Sequence, residues 1–208
     1  MLEKPNFYSV IIGTELLNGR RKDAHFSFLN AQLLSRGWEQ KASFVINDDT
    51  NLMENIFNLI KSDPNSVMFC FGGIGATPDD YTRVVAGKVF TNGKMEFLEE
   101  AKNRIINQFG DEAFPHRINM AYLPINAKLL TNVVNNVAGF YLEDRFFFTP
   151  GFPSMSQAMV IEALDKLYPK SDIQKYRKVM TINASENDLI DTMKKRSEER
   201  RVGKECLR

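Results

Sequence analysis

Residues Phe71 to Thr82 read FGGIGATPDDYT and stand between a wholly apolar stretch and a segment of helical periodicity. Gly72, Gly73 and Gly75 allow positive φ and let a ligand lie against the backbone, while a helix start after them turns unpaired N–H groups outward. That combination suits an anion. Pro78 fits a first helical turn, and in the plain reading Asp79 and Asp80 only serve the helix dipole. Two acids beside a bound phosphate would repel it unless a divalent cation lay between, because hard cations take carboxylate and phosphate oxygens together. A metal-bridged phosphate is the functional reading of this segment, and a tight strand-to-helix turn is the structural one.

Three further segments carry matching parts. GTELLNG, Gly13 to Gly19, follows the first apolar run and places Thr14 and Glu15 at its carboxyl end, where ligands sit in open α/β sheets. Asp48 and Asp49 close the second run. PGFP, Pro150 to Pro153, follows a later one and leads into a helix. Each has a plain alternative: Asp48 or Asp49 as a helix N-cap, Glu15 as a solvated turn residue, PGFP as a rigid connector. Their shared position after successive strands places all four at one rim.

The elements that must hold them are legible as apolar runs alternating with helix-period segments, the pattern of βαβ units with helices on both faces of a sheet. Strands are expected at Phe7 to Gly13, Trp38 to Ile46 and Val67 to Phe71. The helix capped by Asp23 runs to about Arg36 with Phe26, Leu29, Leu33 and Leu34 on one face. The next carries Leu52, Ile56, Leu59 and Ile60, a third follows GGIGATPDD through Val89, and a fourth spans Glu96 to Phe109. Short strands or edges follow at Met120 to Leu123, Lys128 to Thr131, Phe140 to Leu142 and Arg145 to Thr149, then a helix from Ser154 to Leu167. Phe146 to Phe148 read as core, not as a base-stacking platform. Tyr176 to Lys195 reads as one further strand and helix, the truncated start of a second small domain.

The 208 residues are 43% hydrophobic and 25% charged, with 27 Lys and Arg against 26 Asp and Glu. One soluble domain with a full core is expected, and no charge excess advertises nucleic acid or an anionic membrane. No apolar stretch reaches the roughly 20 residues of a membrane span, and the N-terminus lacks the pattern of a signal peptide, so a cytoplasmic location is expected. The final RSEERRVGKECLR, Arg196 to Arg208, resembles the read-through translation of a sequencing adapter and is set apart. Cys206 goes with it, leaving Cys70 within VMFCF as a buried small hydrophobe. His25 and His116 are too few for a histidine metal site; His25 is read as a polar residue at a helix entry and His116 as part of a loop.

GTELLNGRRKD, VINDD, FGGIGATPDDYT and TPGFPSMSQAM resemble, in that order and spacing, the molybdopterin-binding MoaB/Mog domain, most closely its CinA (competence/damage-inducible protein A) branch, over about Phe7 to Leu167. The resemblance implies a three-layer α/β domain with a mostly parallel sheet, over residues 1–168, and a truncated βα extension over residues 169–195. It also implies a small-molecule pterin or nucleotide ligand, molybdopterin among them, held with Mg²⁺ or a similar divalent ion, and a homo-oligomer. Within the family, some relatives adenylylate molybdopterin, whereas the CinA branch is associated with cleavage of the ADP-ribose diphosphate. Carried onto this chain, Asp80 and Asp49 become the catalytic and metal-holding acids. Glu15, Asp23, Gly72, Gly73, Gly75, Thr82, Pro150 and Gly151 become ligand-binding residues. The sequence departs from the branch pattern at Thr14, His25, Ala76 and Met155, the last in place of a glutamate, which favours a non-catalytic molybdopterin-binding module as the alternative. No deamidase domain, and so no nicotinamide mononucleotide deamidation, is expected.

Overall fold

The computed structural model describes residues 2, 4–170, 183, 185 and 187–195. The chain divides into two compact units, residues 1–174 and 175–208. In the first, β1 (Asn6–Ile12) leads through the single turn α1 (Thr14–Leu17) to α2 (His25–Ser35). Then come β2 (Gln40–Ile46), α3 (Thr50–Lys61), β3 (Ser66–Phe71) and α4 (Thr82–Phe90). A small lobe follows, built from β4 (Met95–Phe97), α5 (Glu99–Phe109), two 3-10 turns and β5 (Tyr122–Pro124). The chain returns to the sheet with β6 (Lys128–Leu130), β7 (Gly139–Leu142) and β8 (Phe146–Thr149), and closes on α6 (Pro153–Leu167).

Six strands make one sheet in the order β2-β1-β3-β8-β7-β6, and β4 pairs with β5 apart from it. β2, β1, β3 and β8 run parallel to one another; the β8–β7 and β7–β6 pairs are antiparallel. This is the expected mostly parallel sheet between helical layers. Side chains alternate across a strand, so consecutive phenylalanines serve both layers. Phe146 and Phe148 join the core under α3, α4 and α5, while Phe147 joins the one under α2 and α6. All three are fully buried. Phe148 stacks on Phe140 with centroids 4.6 Å apart and meets Phe57 of α3 edge-on at 5.8 Å. They are core, as read from the sequence.

Three helices differ from expectation in phase or extent. α2 begins at His25, two residues after Asp23, and buries His25, Leu29 and Leu33 while Phe26 and Leu34 stay exposed. α3 buries Met53, Phe57 and Ile60 and leaves Leu52 and Leu59 outside. Its apolar residues cover more than one face, and the bulkier Met and Phe took the core. α5 starts at Glu99 because Met95–Phe97 pairs with β5 instead.

At the amino-terminal rim of the sheet, Asp63 accepts hydrogen bonds from Asn6, Tyr8 and Lys41 side chains and from the Asn65 amide, at 2.8 to 3.0 Å. Burial alone would raise its pKa, but these donors outweigh that and hold it well below the usual carboxylate range. Arg145 ties the same corner by donating to the carbonyls of Ser66 and Asp63. The opposite rim is left to the ligand site.

In the second unit, residues 187–195 are helical, and the Asp188 carboxylate accepts from the Ser185 amide and hydroxyl. The expected strand over 176–183, apart from Asn183, and the tail 196–208 lie outside the described residues. No helix among the described residues is long and apolar enough to cross a membrane.

Candidate functional site

A cavity of about 600 Å³ opens at the carboxyl ends of the parallel strands. Glu15 after β1, Asp48 after β2, the glycine loop after β3 and Pro150 and Gly151 after β8 share its wall, so the four segments singled out in the sequence do meet. Its size lies within the range of small-molecule sites.

The glycine loop is built from beneath. The Gly72 amide donates to Thr149 O at 2.9 Å, continuing the pairing of β3 with β8. Thr82, wholly buried, donates its hydroxyl to Gly72 O at 2.9 Å and its amide to Gly73 O at 3.0 Å. Gly72 and Gly73 sit at φ +104° and +68°, where side chains are strained, and a Cβ on Gly73 would run into the Thr82 hydroxyl. With these bonds made, the N–H groups of Gly73, Ile74, Gly75 and Ala76 have no acceptor among the described residues, and all four residues line the cavity. Four consecutive amides without acceptors are donors of the kind that an anion can take. Thr82, expected among the ligand-binding residues, is not on the cavity wall and braces the glycine loop from beneath.

The acids divide into wall and frame. Asp49 is the N-cap of α3, accepting from the Leu52 amide at 2.8 Å, and it does not line the cavity. Asp48 does, and its Oδ2 accepts from the amide and hydroxyl of Thr14 at 3.0 and 2.8 Å. The Asp80 carboxylate lines the cavity too. Its Oδ2 accepts from the Thr77 amide at 2.8 Å and from the Thr77 hydroxyl, while Oδ1 has no partner among the described residues. The structure thus does not bring Asp49 and Asp80 together as one metal site; the acids on the wall are Glu15, Asp48, Asp79 and Asp80.

Asp23 is also a frame residue, its two oxygens taking the amides of His25 and Phe26 at 2.8 and 3.1 Å at the start of α2. It lines a small recess beside the cavity with His25 and Gly151. His25 itself is buried, stacked on Phe71 at 4.5 Å between centroids. Its Nε2 lies 3.2 Å from Gly151 O, and since a carbonyl only accepts, that nitrogen carries the proton and Nδ1 accepts from Ser156 Oγ at 3.3 Å. Burial lowers the imidazole pKa, partly offset by the Gly151 carbonyl and Asp23. His25 is the helix-entry residue that the sequence suggested, the first of α2, and it also ties the PGFP loop to α2 and α6. His116 lies exposed at the edge of a 3-10 turn, and Cys70 is buried with its thiol pKa pushed up.

Several wall residues carried no signal in the sequence. Arg21 lies 3.7 Å from the Glu15 carboxylate and covers the Phe152 ring. Phe109, Arg117, Asn132 and Asn135 reach the cavity from the small lobe and the loop after β6. Met155, noted in the sequence where related chains have a glutamate, is on the wall as well.

The profile of the probable molybdopterin binding domain family matches residues 9–169. The chain belongs to that family. Within it the chain takes the MoaB/Mog fold in the form shared by CinA-like proteins. A CinA-like protein of Geotalea uraniireducens is 32% identical over 161 residues, 74% of this chain and 37% of that protein. The chain therefore spans little more than a third of this relative's length. The crystal structure of CinA from Thermoplasma acidophilum superposes with a TM-score of 0.69 at 24% identity, covering 77% of this chain and 97% of that one. MoaB of Thermus thermophilus superposes with a TM-score of 0.51 at 16% identity, over 81% and 92% of the two chains. Both are likenesses of fold.

Proposed function

We propose that the cavity grips the phosphates of a molybdopterin or nucleotide ligand and that the chain hydrolyses a nucleotide diphosphate such as that of ADP-ribose with a divalent cation. The observation that carries this reading is the run of free amides from Gly73 to Ala76 on the wall of a cavity large enough for such a ligand. Fixed N–H groups neutralise phosphate oxygens without reorganising.

The donor set suits a cation shared with the ligand. No group of three or more His, Cys, Asp or Glu among the described residues could hold a metal alone. Mg²⁺ commonly takes one or two carboxylates and completes its shell with phosphate and water. Asp80 is on the wall, and its Oδ1, which accepts no hydrogen bond among the described residues, is the carboxylate oxygen that would serve it, with the Arg83 charge nearby. Such an ion supplies, when bound, charge neutralisation and a more acidic water. The chain's own residues hold the rest: the amides orient the diphosphate, Arg21 adds positive charge beside it, and Thr77 keeps Asp80 turned to the loop. The reaction adds one water across the P–O–P bridge, giving AMP and ribose 5-phosphate from ADP-ribose.

Met155 on the wall favours a second reading, a module that holds molybdopterin without turning it over. Incubation of the chain with ADP-ribose and Mg²⁺, Mn²⁺ or Co²⁺ separates the two. AMP release that disappears in Asp80→Asn, with the fold kept, supports hydrolysis. Binding without product under every metal supports the carrier.

A further inference from the structure

The part of the cavity wall that comes from the loop after β6 is braced from within. Buried Asn132 organises it: its Nδ2 donates to Asn135 Oδ1 at 2.7 Å and to Val137 O at 2.9 Å, and its Oδ1 accepts the amides of Val134 and Asn135. Every polar atom of the Asn132 side chain is used within the loop, so it faces no ligand. Asn135 is different. Its Oδ1 is fixed as an acceptor by Asn132 and by the Val137 amide at 3.0 Å, which forces Nδ2 to be the free end of the carboxamide. That Nδ2 has no partner among the described residues, and Asn135 lines the cavity. On the wall of the same cavity are Arg117 and Phe109, the guanidinium 4.5 Å from the ring centroid and held by Glu112. A flat cation on an aromatic face and one oriented donor in a single cavity suit a planar heterocycle with a hydrogen-bond acceptor on its edge.

We infer that Asn135 is a specificity-determining residue whose Nδ2 donates to an acceptor on the ring of the ligand, with Asn132 as its positioning residue. The inference rests on the proposal that the glycine loop holds the ligand's phosphates, which leaves the ring to the other residues of the wall. It divides the cavity into a phosphate grip that ignores the base and a ring site that reads it.

The test is calorimetry of the whole chain with inorganic diphosphate, ADP and GDP, for the wild type, Asn135→Asp and Asn135→Ala. Aspartate keeps the acceptor that Asn132 and Val137 need but removes the donor; alanine removes the donor without adding charge. What the two variants share is loss of Nδ2. Expected is tighter binding of ADP or GDP than of diphosphate by the wild type, tenfold or more. That gain should vanish in both variants, while diphosphate affinity in Asn135→Ala stays within twofold and the melting curve keeps its shape. Equal loss of diphosphate and nucleotide affinity in both variants overturns the ring site, as does a wild type that gains nothing from a ring. Asn132→Ala, in which the loop loses its organiser, should lose the same nucleotide preference, and retention of it there overturns the positioning role. Nucleotide binding without any diphosphate binding would sink the phosphate grip and leave the ring site standing. No binding of any probe sinks both.

Discussion

The buried hydroxyl of Thr82 donates to the carbonyl of Gly72 at 2.9 Å, and through that bond the first residue of α4 sets the loop that precedes it by ten positions. The amide of Thr82 is spent on Gly73, so α4 offers this first donor to its own loop and not to a ligand. The anion site is the loop's amides, displaced from the helix start. Thr82→Val, which keeps the shape and removes the hydroxyl, is expected to cost about 1–3 kcal/mol in urea unfolding, because Gly72 O is left without its hydroxyl donor. It should also weaken diphosphate binding, and Thr82→Ser should restore both. Full diphosphate affinity in a folded Thr82→Val chain would show that the loop holds its shape without this bond.

Gly73→Ala combines a left-handed backbone with a Cβ directed at the Thr82 hydroxyl. From the sequence, a side chain at Gly73 should clash either with an incoming phosphate or with the turn itself; the structure shows the second, at the Thr82 hydroxyl beneath the loop. A loss of about 1 kcal/mol or more of stability is therefore expected even without ligand, measured by denaturant unfolding. A variant as stable as the wild type would remove the strain argument.

Asp48 and Asp49 were interchangeable as residues and are not so as parts of the fold. Asp49→Ala removes the cap of α3 and is expected to cost about 1 kcal/mol while leaving diphosphate affinity unchanged. Asp48→Asn can still accept from Thr14 but takes a negative charge off the cavity wall. It should leave stability alone and tighten metal-free diphosphate binding several-fold. Calorimetry and unfolding of the two variants side by side decide it, and the reverse pattern would return Asp49 to the site.

This pair shows where sequence reading reaches and where it stops. Segments that end a strand and open a helix declare themselves by composition, and so FGGIGATPDD, GTELL and PGFP were found and do converge on one cavity. Composition offers either of two adjacent carboxylates as the N-cap; the start of α3 at Thr50 makes Asp49 the cap and leaves Asp48 on the cavity wall. Arg117 and Asn135 lie 42 and 60 residues beyond Gly75 in the chain and reach the cavity only through the tertiary fold, one from the small lobe and the other from the loop after β6. The phase of α3 failed for a related reason: with apolar residues at 52, 53, 56, 57, 59 and 60, periodicity allows more than one buried face, and packing against Phe148 and Phe90 chooses.

At the far rim, Asp63 gathers Asn6, Tyr8 and Lys41. Its pKa is lower folded than unfolded, so its contribution is present above the ordinary value of 3.8 and is lost as pH falls below it. Asp63→Ala is expected to cost about 2–3 kcal/mol at pH 7, where three side-chain donors lose their acceptor, and to flatten the acid limb of the stability curve. Diphosphate affinity at pH 7 should not change. A wild-type acid limb persisting in the variant would assign it to other groups.

His25 sets the remaining pH dependence. Burial lowers its pKa below the ordinary 6.5, and its neutral form is the one that both partners accept: Nε2–H to Gly151 O, Nδ1 from Ser156. Below pH 6.5 the unfolded chain takes up a proton that the folded chain resists, so stability holds above that value and falls as pH drops through it. One proton limits the slope to about 1.4 kcal/mol per pH unit. Because the imidazole pins Gly151, whose Cα side faces Gly72 closely enough that an added Cβ would approach it to 3.3 Å, protonation should disturb the PGFP loop where it meets the glycine loop. Diphosphate binding is then expected to weaken over the same range in which stability declines, apart from the titration of the ligand itself. Urea midpoints and diphosphate affinities measured from pH 7.5 to 5.0 on the wild type and His25→Gln test this. The glutamine variant should be less stable at neutral pH and should lose the slope between 6.5 and 5.0. A slope that survives the substitution unchanged would mean that another group titrates there and that His25 is a packing residue only.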